Sequence, residues 1–583
     1  MEAIFVNENP AGFTHHLGLL SVATDGLTRD RDSLLHCRIK YRGAPDQSSI
    51  YPYVSEEDRQ LLNRFDPLVA GKEYAFVQSD FLLLTREAGW YPVVAWRNYR
   101  QQAAFTSYSL QFSSSHNLQV FSQGRGHQQE GTTYFENDQP LNALTLLSGE
   151  YSVDSLVVDG IEYQLGVHTH NLLLQNNFDQ IGDTLPALIR DLKSHYERNL
   201  KLEYPFRRLK IMEVPTHFFT YLQNWTTATD HIQPEFILLP EYGGGQWFLN
   251  VGRTRKEFED EAKQQGEEPN EQEVQARMFV TLAGNAFVFP GWQIIDRGQE
   301  IKNNPGGWNR VQVFPLYVHH AYQIQEEGWP VFQIMLEEAL RNKARKGEVD
   351  VWRLNRDQYM GLLALKKKSL SQWMAQATAD DTIARILQLR GIQFFKEISA
   401  LSPTGDFTEE LKASFVDRKF QVSHPSGWLR HVQVSFNAYE KYQNIQKGDQ
   451  LPAFEFGWVR TSELTGNGKN QYLVSLDVSN VGGTDGILDA QTTFLDLSEN
   501  RNQSYSQWMY QKMDSESNED KRLHLIPAGT KVRIDMLFDQ LPRQLTIFTG
   551  IAQNIPPVKT FDLRNFDKGV GPLHKRGSIL SIR

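Results

Sequence analysis

The residues best suited to metal or acid–base chemistry lie together in the middle of the chain. His319 and His320 fall in Phe314-Pro-Leu-Tyr-Val-His-His-Ala-Tyr-Gln323, and Glu337 and Glu338 in Gly328-Trp-Pro-Val-Phe-Gln-Ile-Met-Leu-Glu-Glu-Ala-Leu340. Read as helices, these stretches approach the zinc motif H-E-x-x-H with a further Glu about 19 positions on, in which two histidines and the distant carboxylate hold the metal and the inner glutamate activates water. With His320 as the second histidine, the first falls on Leu316 and the base on Tyr317. A leucine ligates nothing, and a phenol is no general base near neutral pH. His319 and His320 are adjacent, so on a helix they diverge by about 100° and one ion does not take both. Glu338 follows His320 by 18 positions. The pattern therefore predicts no catalytic residue. If a metal binds at all, its ligands are His320 and Glu338, and Tyr317, His319 and Glu337 complete that part of a binding cleft.

A second candidate is Phe236-Ile-Leu-Leu-Pro-Glu-Tyr-Gly-Gly-Gly245, a strand ending in a glycine loop. No Gly-Lys-Ser/Thr follows the glycines, which disfavours nucleotide phosphate as the ligand. Glu241, Tyr242, Gly243, Gly244 and Gly245 remain binding-cleft candidates. In His168-Thr-His170 both imidazoles share one face of a strand, but two ligands without a companion carboxylate or thiolate favour ordinary histidines at a strand end. His168, His170 and His231 matter only as the missing ligands of a divergent metal site. The basic run Lys366-Lys367-Lys368 is read as a solvated helix face.

These residues need a scaffold of several domains. A chain of 583 residues exceeds one ordinary core, and roughly 150 residues per domain gives three or four. Hydrophobic residues make up 40% and aromatics 12%, which is a folding composition with much β structure. The net charge of −10, with acidic and basic residues dispersed, argues against a nucleic-acid surface. The single cysteine, Cys37, excludes an internal disulfide framework and a thiolate metal cluster. No apolar run reaches the length of a membrane span, and Met1-Glu-Ala-Ile-Phe5 lacks the basic start and apolar core of a signal peptide, so the chain as given is expected to be soluble; if it belongs to a larger membrane protein, it has been excised from the spanning part.

Along the chain, short alternating runs up to about residue 200 predict antiparallel strands: Leu35 to Tyr41, Phe81 to Thr85, Tyr108 to Phe112, Leu118 to Phe121 and Tyr163 to Val167. Gly89-Trp-Tyr-Pro-Val-Val94 is expected to enter a strand and Leu146-Leu-Ser-Gly-Glu-Tyr151 to form a turn. Leu185, Leu188, Ile189, Leu192 and Tyr196 recur with helical spacing. Lys256 to Val280 is a charged surface excursion broken at Gly266 and Pro269. Helices then dominate: Trp329 to Lys346, Arg356 to Gln376, Asp381 to Gln388 and Gly391 to Leu401. After about residue 415 alternation returns, with strands at His431 to Phe436, Phe454 to Val459, Gln471 to Val478, Val532 to Phe538 and Gln544 to Phe548. The fold class is multi-domain α+β, with an N-terminal antiparallel β saddle or sandwich over residues 1–200, an α-rich middle domain over 201–414 and a C-terminal β-sandwich over 415–583.

Several of these stretches, in this order, carry a family likeness: Lys40-Tyr-Arg-Gly43, Gly89-Trp-Tyr-Pro92, Leu146 to Tyr151, Tyr204-Pro-Phe with Met212-Glu-Val-Pro215, and Pro240-Glu-Tyr-Gly-Gly-Gly245. The chain resembles the gluzincin zinc aminopeptidases, and more closely the extracytoplasmic aminopeptidase-like region fused to ABC-type permeases in Bacteroidetes-like bacteria. The resemblance implies that Glu241 stands where those enzymes grip a substrate's amino group, beside a strand edge that pairs with peptide. It also implies that the middle domain is thermolysin-like and that the zinc site is degenerate.

Two functions follow. One is a non-catalytic binding or scaffold module on the extracytoplasmic, periplasmic side of a membrane, part or partner of an ABC-type transporter. It would need no cofactor, and its partners would be transporter subunits, envelope proteins or a peptide or protein ligand, without nucleic acid. The other is a divergent zinc aminopeptidase using His319 or His320, Glu338 and a further ligand. A weaker third reading makes the aromatic-rich sandwiches carbohydrate-binding.

Overall fold

The computed structural model describes residues 2–16, 19–23, 37–45, 75–93, 105–114, 118–168, 178–215, 218, 232–240, 251–288, 292–294, 308–310, 314–326, 328–346, 356–376, 380–434, 437–447, 451–466, 469–493, 523–538, 541–555 and 558–563. It is a multi-domain α+β protein, with several antiparallel sheets, helices in the middle and strands at both ends. The chain divides into two compact units: Met1–Gln223 with Thr227–Pro330 and Phe415–His424, and Asn224–Thr226 with Val331–Ser414 and Pro425–Arg583.

In the first unit, strands β1 (Ala75–Val77), β2 (Leu82–Leu84), β3 (Gln119–Ser122) and β4 (Leu146–Gly149) form a four-stranded sheet in the order β1-β2-β4-β3. Next, β5 (Tyr151–Val158), β6 (Ile161–His168), β7 (Arg208–Val214), β8 (Ile232–Gln233) and β9 (Phe236–Pro240) form a five-stranded sheet in the order β5-β6-β7-β9-β8. Strand β7 runs parallel to both β6 and β9, while β5 and β8 are antiparallel edges. Apolar residues of both sheets, among them Phe81, Leu83, Leu147, Tyr151, Met212, Val214, Phe236 and Leu238, meet in one core. Removing that apolar surface from water, at roughly 25 cal/mol per Å², holds the sheets together. Helix α1 (Leu185–Leu200) has the predicted periodicity, and α2 (Val251–Gln264) and α3 (Glu271–Val288) are separated at Gly266 and Pro269 as expected. Helix α4 (Phe314–Ala321) also belongs to this unit.

The second unit begins with α5 (Val331–Lys346), α6 (Arg356–Leu365), α7 (Asp380–Leu401) and α8 (Ala438–Lys447). It ends in a β-sandwich. Strands β10 (Phe454–Gly466), β11 (Lys469–Asn480), β12 (Gly486–Thr493), β13 (Leu523–Ile526), β14 (Lys531–Phe538), β15 (Gln544–Phe548) and β16 (Val558–Asp562) make two sheets, β10-β11-β14 and β13-β12-β15-β16. Val474, Leu476 and Ile534 from one sheet pack with Leu488, Ile526, Leu545 and Ile547 from the other, so alternation put one face of each strand into a shared core. Lys441 of α8 pairs with the buried Glu397 of α7, which also accepts from Gln393 at 3.1 Å.

Four local expectations fail, each for an identifiable reason. Leu146–Gly149 is itself a strand, paired on both sides, and only Glu150 separates it from β5. Gly89, at φ 61°, closes the short 3-10 turn Arg86–Ala88 instead of entering a strand, and Trp90 to Val93 carry no ladder. His431 to Phe436 is not a strand at its described residues; Pro425–Leu429 and α8 flank it as helices, because Trp428, Leu429 and Tyr442 bury against a helical layer rather than a sheet. Asp381 to Gln388 and Gly391 to Leu401 are one helix, Asp380–Leu401, and Gly391 is a contact point within it.

A Cβ on Gly391 would lie 2.5 Å from the Met335 carbonyl oxygen and 2.6 Å from its Cα, backbone atoms of α5. The glycine lets two buried helices approach. Gly391→Ala gains about 1 kcal/mol of helix propensity but forces an overlap that typically costs about 1–3 kcal/mol. Because the obstacle is backbone and cannot rotate away, the clash wins. Urea denaturation of Gly391→Ala is expected to show a net loss of stability, whereas the propensity effect alone would produce a gain.

Candidate functional site

Helix α4 places three of the predicted residues, and all three are buried: Tyr317, His319 and His320. The two imidazoles diverge as adjacent helical positions must, with rings at 88° and centroids 5.3 Å apart. His320 Nε2 donates to the Ile232 carbonyl of β8 at 2.8 Å. Its Nδ1 lies 3.1 Å from Asn142 Oδ1, and Asn142 Nδ2 in turn donates to the His319 carbonyl at 3.1 Å. Both ring nitrogens thus face protein oxygens, and neither presents a lone pair to a metal. A charged ring would donate to both oxygens, but burial, then His319 and Arg86, push its pKa well below the ordinary value; only the Ile232 contact favours the charge. Burial is the largest of these effects, so the ring is neutral at physiological pH.

Tyr317 lies on the same helix, three residues before His320. Its ring packs edge-to-face on Tyr204 at 5.0 Å and on Phe206 at 6.0 Å. Burial holds its phenol protonated far above the usual tyrosine range, so it withdraws no proton from water. Tyr204, similarly raised by burial, donates from its hydroxyl to the Arg208 carbonyl at 2.8 Å.

Glu337 and Glu338 lie on α5 in the second unit and are buried at 1% and 3% exposure. Glu338 Oε1 accepts from Gln358 Nε2 at 2.8 Å and Oε2 from Arg341 NH1 at 3.2 Å, while Glu337 Oε1 accepts from Gln333. The oxygens of Glu338 are engaged by side chains of its own unit. The nitrogens of His320 and the oxygens of Glu338 are each already engaged within their own unit, and neither side chain as placed fits a zinc ion. Among the described residues no group of three or more His, Cys, Asp or Glu could hold a metal.

Glu241, Tyr242, Gly243, Gly244 and Gly245 lie outside the described residues, as do His170 and His231. His168 ends β6, where its backbone N–H donates to Glu213 Oε2 at 2.9 Å and its ring stacks on Tyr151 at 4.7 Å. Lys366, Lys367 and Lys368 are exposed just beyond α6.

The strand that leads to Glu241 rests on a buried ionic network. Lys210 of β7 donates to the carbonyls of Ser122 and, at 3.2 Å, Gly124, and lies 5.3 Å from the Phe236 ring centroid. Glu235, in the turn between β8 and β9, accepts from the Gly124 N–H at 2.7 Å and from Arg208 at 3.4 Å. Arg208 also reaches Asp138 at 2.7 Å, and Gln123 Nε2 donates to the Pro234 carbonyl at 3.0 Å. Gly124, at φ 83°, is required here, since a Cβ would fall 2.2 Å from the Glu136 oxygen. The turn after β3 and the β8–β9 hairpin are thereby locked together. Burial lowers the Lys210 pKa to about 8, against the opposing attraction of Glu235, and burial also raises Glu235.

Sequence reasoning missed this network and Asn142. The signal available was the pattern Arg208-Leu-Lys-Ile-Met-Glu-Val214, in which charged residues interrupt an otherwise apolar central strand. Asn142, 178 positions from His320, left no local trace.

No protein-family model and no curated protein sequence matches this chain. Among solved structures, aminopeptidase A of Legionella pneumophila, determined in complex with aspartic acid, is similar over 96% of this chain and 52% of its own, at 10% identity and a TM-score of 0.46. The chain spans about half the length of that protein. A likeness at this level assigns neither an activity nor a site residue.

Two pH effects follow from the buried groups. The unfolded chain takes up a proton on His320 near pH 6.5 whereas the folded chain resists it, so stability falls as pH drops below about 6.5. Thermal melts of His320→Gln between pH 7 and 5 are expected to lose that part of the acid dependence. Lys210 behaves in the opposite range. The unfolded amine keeps its proton up to 10.5 and the folded one releases it near 8, so stability rises between these values. Lys210→Met is expected to remove that alkaline rise in chemical denaturation, and an unchanged slope would mean that the amine is not buried.

Proposed function

We propose that this chain is a non-catalytic, aminopeptidase-like binding or scaffold region that works on the extracytoplasmic side of a membrane as part or partner of an ABC-type transporter. The observation that carries the non-catalytic half is the setting of His320. The histidine that aligns with a ligand position in the sequence has one nitrogen donating to the Ile232 carbonyl and the other against Asn142, and it is buried and neutral. At the adjacent base position stands a phenol held protonated by burial. An enzyme of the gluzincin type needs a metal-bound water and a carboxylate base at these places. Here the same places support helix packing, so no cofactor is required in this reading.

The binding half rests on the resemblance at Pro240 to Gly245 together with the network that supports strand β9. Strand β9 is anchored through Glu235, Lys210 and Gln123 up to its last described residue, Pro240. A glutamate and a strand end at that place suit the amino end of an extended peptide or protein segment. The transporter and the membrane side rest on the sequence resemblance. No helix among the described residues is long and apolar enough to cross a membrane, so attachment through this part would be to a partner or to a flanking segment.

Elemental analysis of the purified chain, combined with aminoacyl reporter hydrolysis, tests the first half. The expected outcome is zinc below roughly a tenth of an equivalent and no hydrolysis that chelator removes. Stoichiometric zinc with chelator-sensitive cleavage abolished by His320→Ala would establish the divergent peptidase instead. For the second half, the native protein is expected to co-purify with permease subunits from solubilised membranes. Recovery entirely in the cytosolic fraction would overturn the transporter assignment.

A further inference from the structure

Strand β5, Tyr151–Val158, is an edge of the five-stranded sheet and pairs only with β6 among the described residues. The two strands are joined by a two-residue turn, Asp159-Gly160, with φ 49° and 78°, the conformation that tight hairpins favour. Such a turn makes Val158 and Ile161 a hydrogen-bonded pair. Alternation along the antiparallel ladder then turns the N–H and C=O of Val158, Leu156, Asp154 and Ser152 toward β6 and those of Val157, Ser155, Val153 and Tyr151 outward. The Tyr151 N–H is taken by Gln119 Oε1 at 3.0 Å. Val153, Ser155 and Val157 remain, a row of outward peptide groups. Beside them Val157 is 67% exposed, although it is a β-branched apolar residue in a regular strand. The hairpin is held in place by Arg190 of α1, which pairs with Asp159 at 3.1 Å.

We propose that this edge is an interaction surface for a second copy of the same chain, formed by antiparallel pairing of β5 with its two-fold mate about an axis at Ser155. The register is set by the residues themselves. With the axis at Ser155, the outward groups of Val153 meet those of Val157 in the other copy, and those of Ser155 meet their own counterparts, so each outward N–H and C=O on the free stretch gains a partner. The facing side chains are compatible. Val153 lies opposite Val157 on both sides of the axis, serine faces serine, and the single charge, Asp154, lies opposite Leu156 and not another carboxylate. A shift by two residues toward the start of the strand would set Val157 against Tyr151, whose N–H is already occupied; a shift the other way runs into the Asp159-Gly160 turn. Only one register uses the whole free edge. It would join two five-stranded sheets into one continuous sheet and cover Val157. An unprotected edge of this kind otherwise invites unspecific pairing.

The association is independent of the peptide-binding reading, because it involves the edge of the sheet opposite to β8. Sedimentation velocity on the intact chain is expected to show a concentration-dependent shift from one to two copies. Val157→Lys introduces a charge at the exposed position, and Ser155→Pro removes an outward N–H that the sheet itself does not use. Each is expected to weaken self-association by about tenfold or more while leaving the melting temperature and circular dichroism of the single chain unchanged. Amide exchange at Val153, Ser155 and Val157 should slow as concentration rises. A single-copy mass at every concentration up to about 0.1 mM would overturn the proposal. So would a dimer indifferent to both variants, or a chain that stays single and takes up an extended peptide from another protein along β5.

Discussion

A neutral imidazole enclosed between a backbone carbonyl and a carboxamide is the constraint around which the candidate site is built. His320 joins three segments that are far apart in sequence: helix α4, the approach to β4 through Asn142, and the edge strand β8 through Ile232. A metal would compete for these nitrogens against hydrogen bonds already made in a buried setting, where leaving the Ile232 carbonyl without its donor costs about 1–3 kcal/mol. The ring is also mildly frustrated, because its Nδ1 faces an oxygen that a charged ring would satisfy while burial and His319 oppose the charge. Such an arrangement is suited to holding elements in register. It is poorly suited to exchanging a ligand.

The same rule governs the other buried charges. Glu338 is engaged at both oxygens, Glu397 meets Lys441 and Gln393, and Lys343 meets Asp406 with Thr408 beside it. In the first unit Lys210, Glu235, Arg208 and Asp138 close a network across two sheets. Buried ions are tolerated only when paired and hydrogen-bonded, and replacing them by apolar residues is often neutral or stabilising. Their presence at the turns that support β9 and along α5 and α7 is consistent with specificity: charges that can be satisfied in one arrangement only select the strand and helix register that satisfies them. The edge at β5 is the counterpart, a place where peptide groups and an apolar side chain are left outward and a second chain can complete them.

Much of the architecture was legible from periodicity. The 3.6-residue recurrence gave α1, and alternation gave most of the C-terminal sandwich, because one buried face writes itself into the sequence wherever a strand or helix is half exposed. Errors came where that premise fails. The helix Asp380–Leu401 reads in sequence as two, although Gly391 continues it and makes a backbone contact with Met335, and His431 to Phe436 alternates like a strand although its neighbours pack as helices. Leu146–Gly149, buried on both faces, has no alternation to show.

By itself, the sequence determined the α+β class, the order of the strand-rich and helix-rich regions, and the absence of His and Glu from the positions where a helical zinc site needs them, since each of these depends on residue type and local spacing. Tertiary structure alone decided what His320 and Glu338 do. The reason is that a side chain's chemistry is set by what shares its low-dielectric surroundings, and Asn142, Ile232, Gln358 and Arg341 reach those surroundings only after the chain has folded. The same separation explains why a lysine in a central strand became part of a support for β9, with its proton affinity lowered by burial, when nothing within a few residues of it could have indicated the partner.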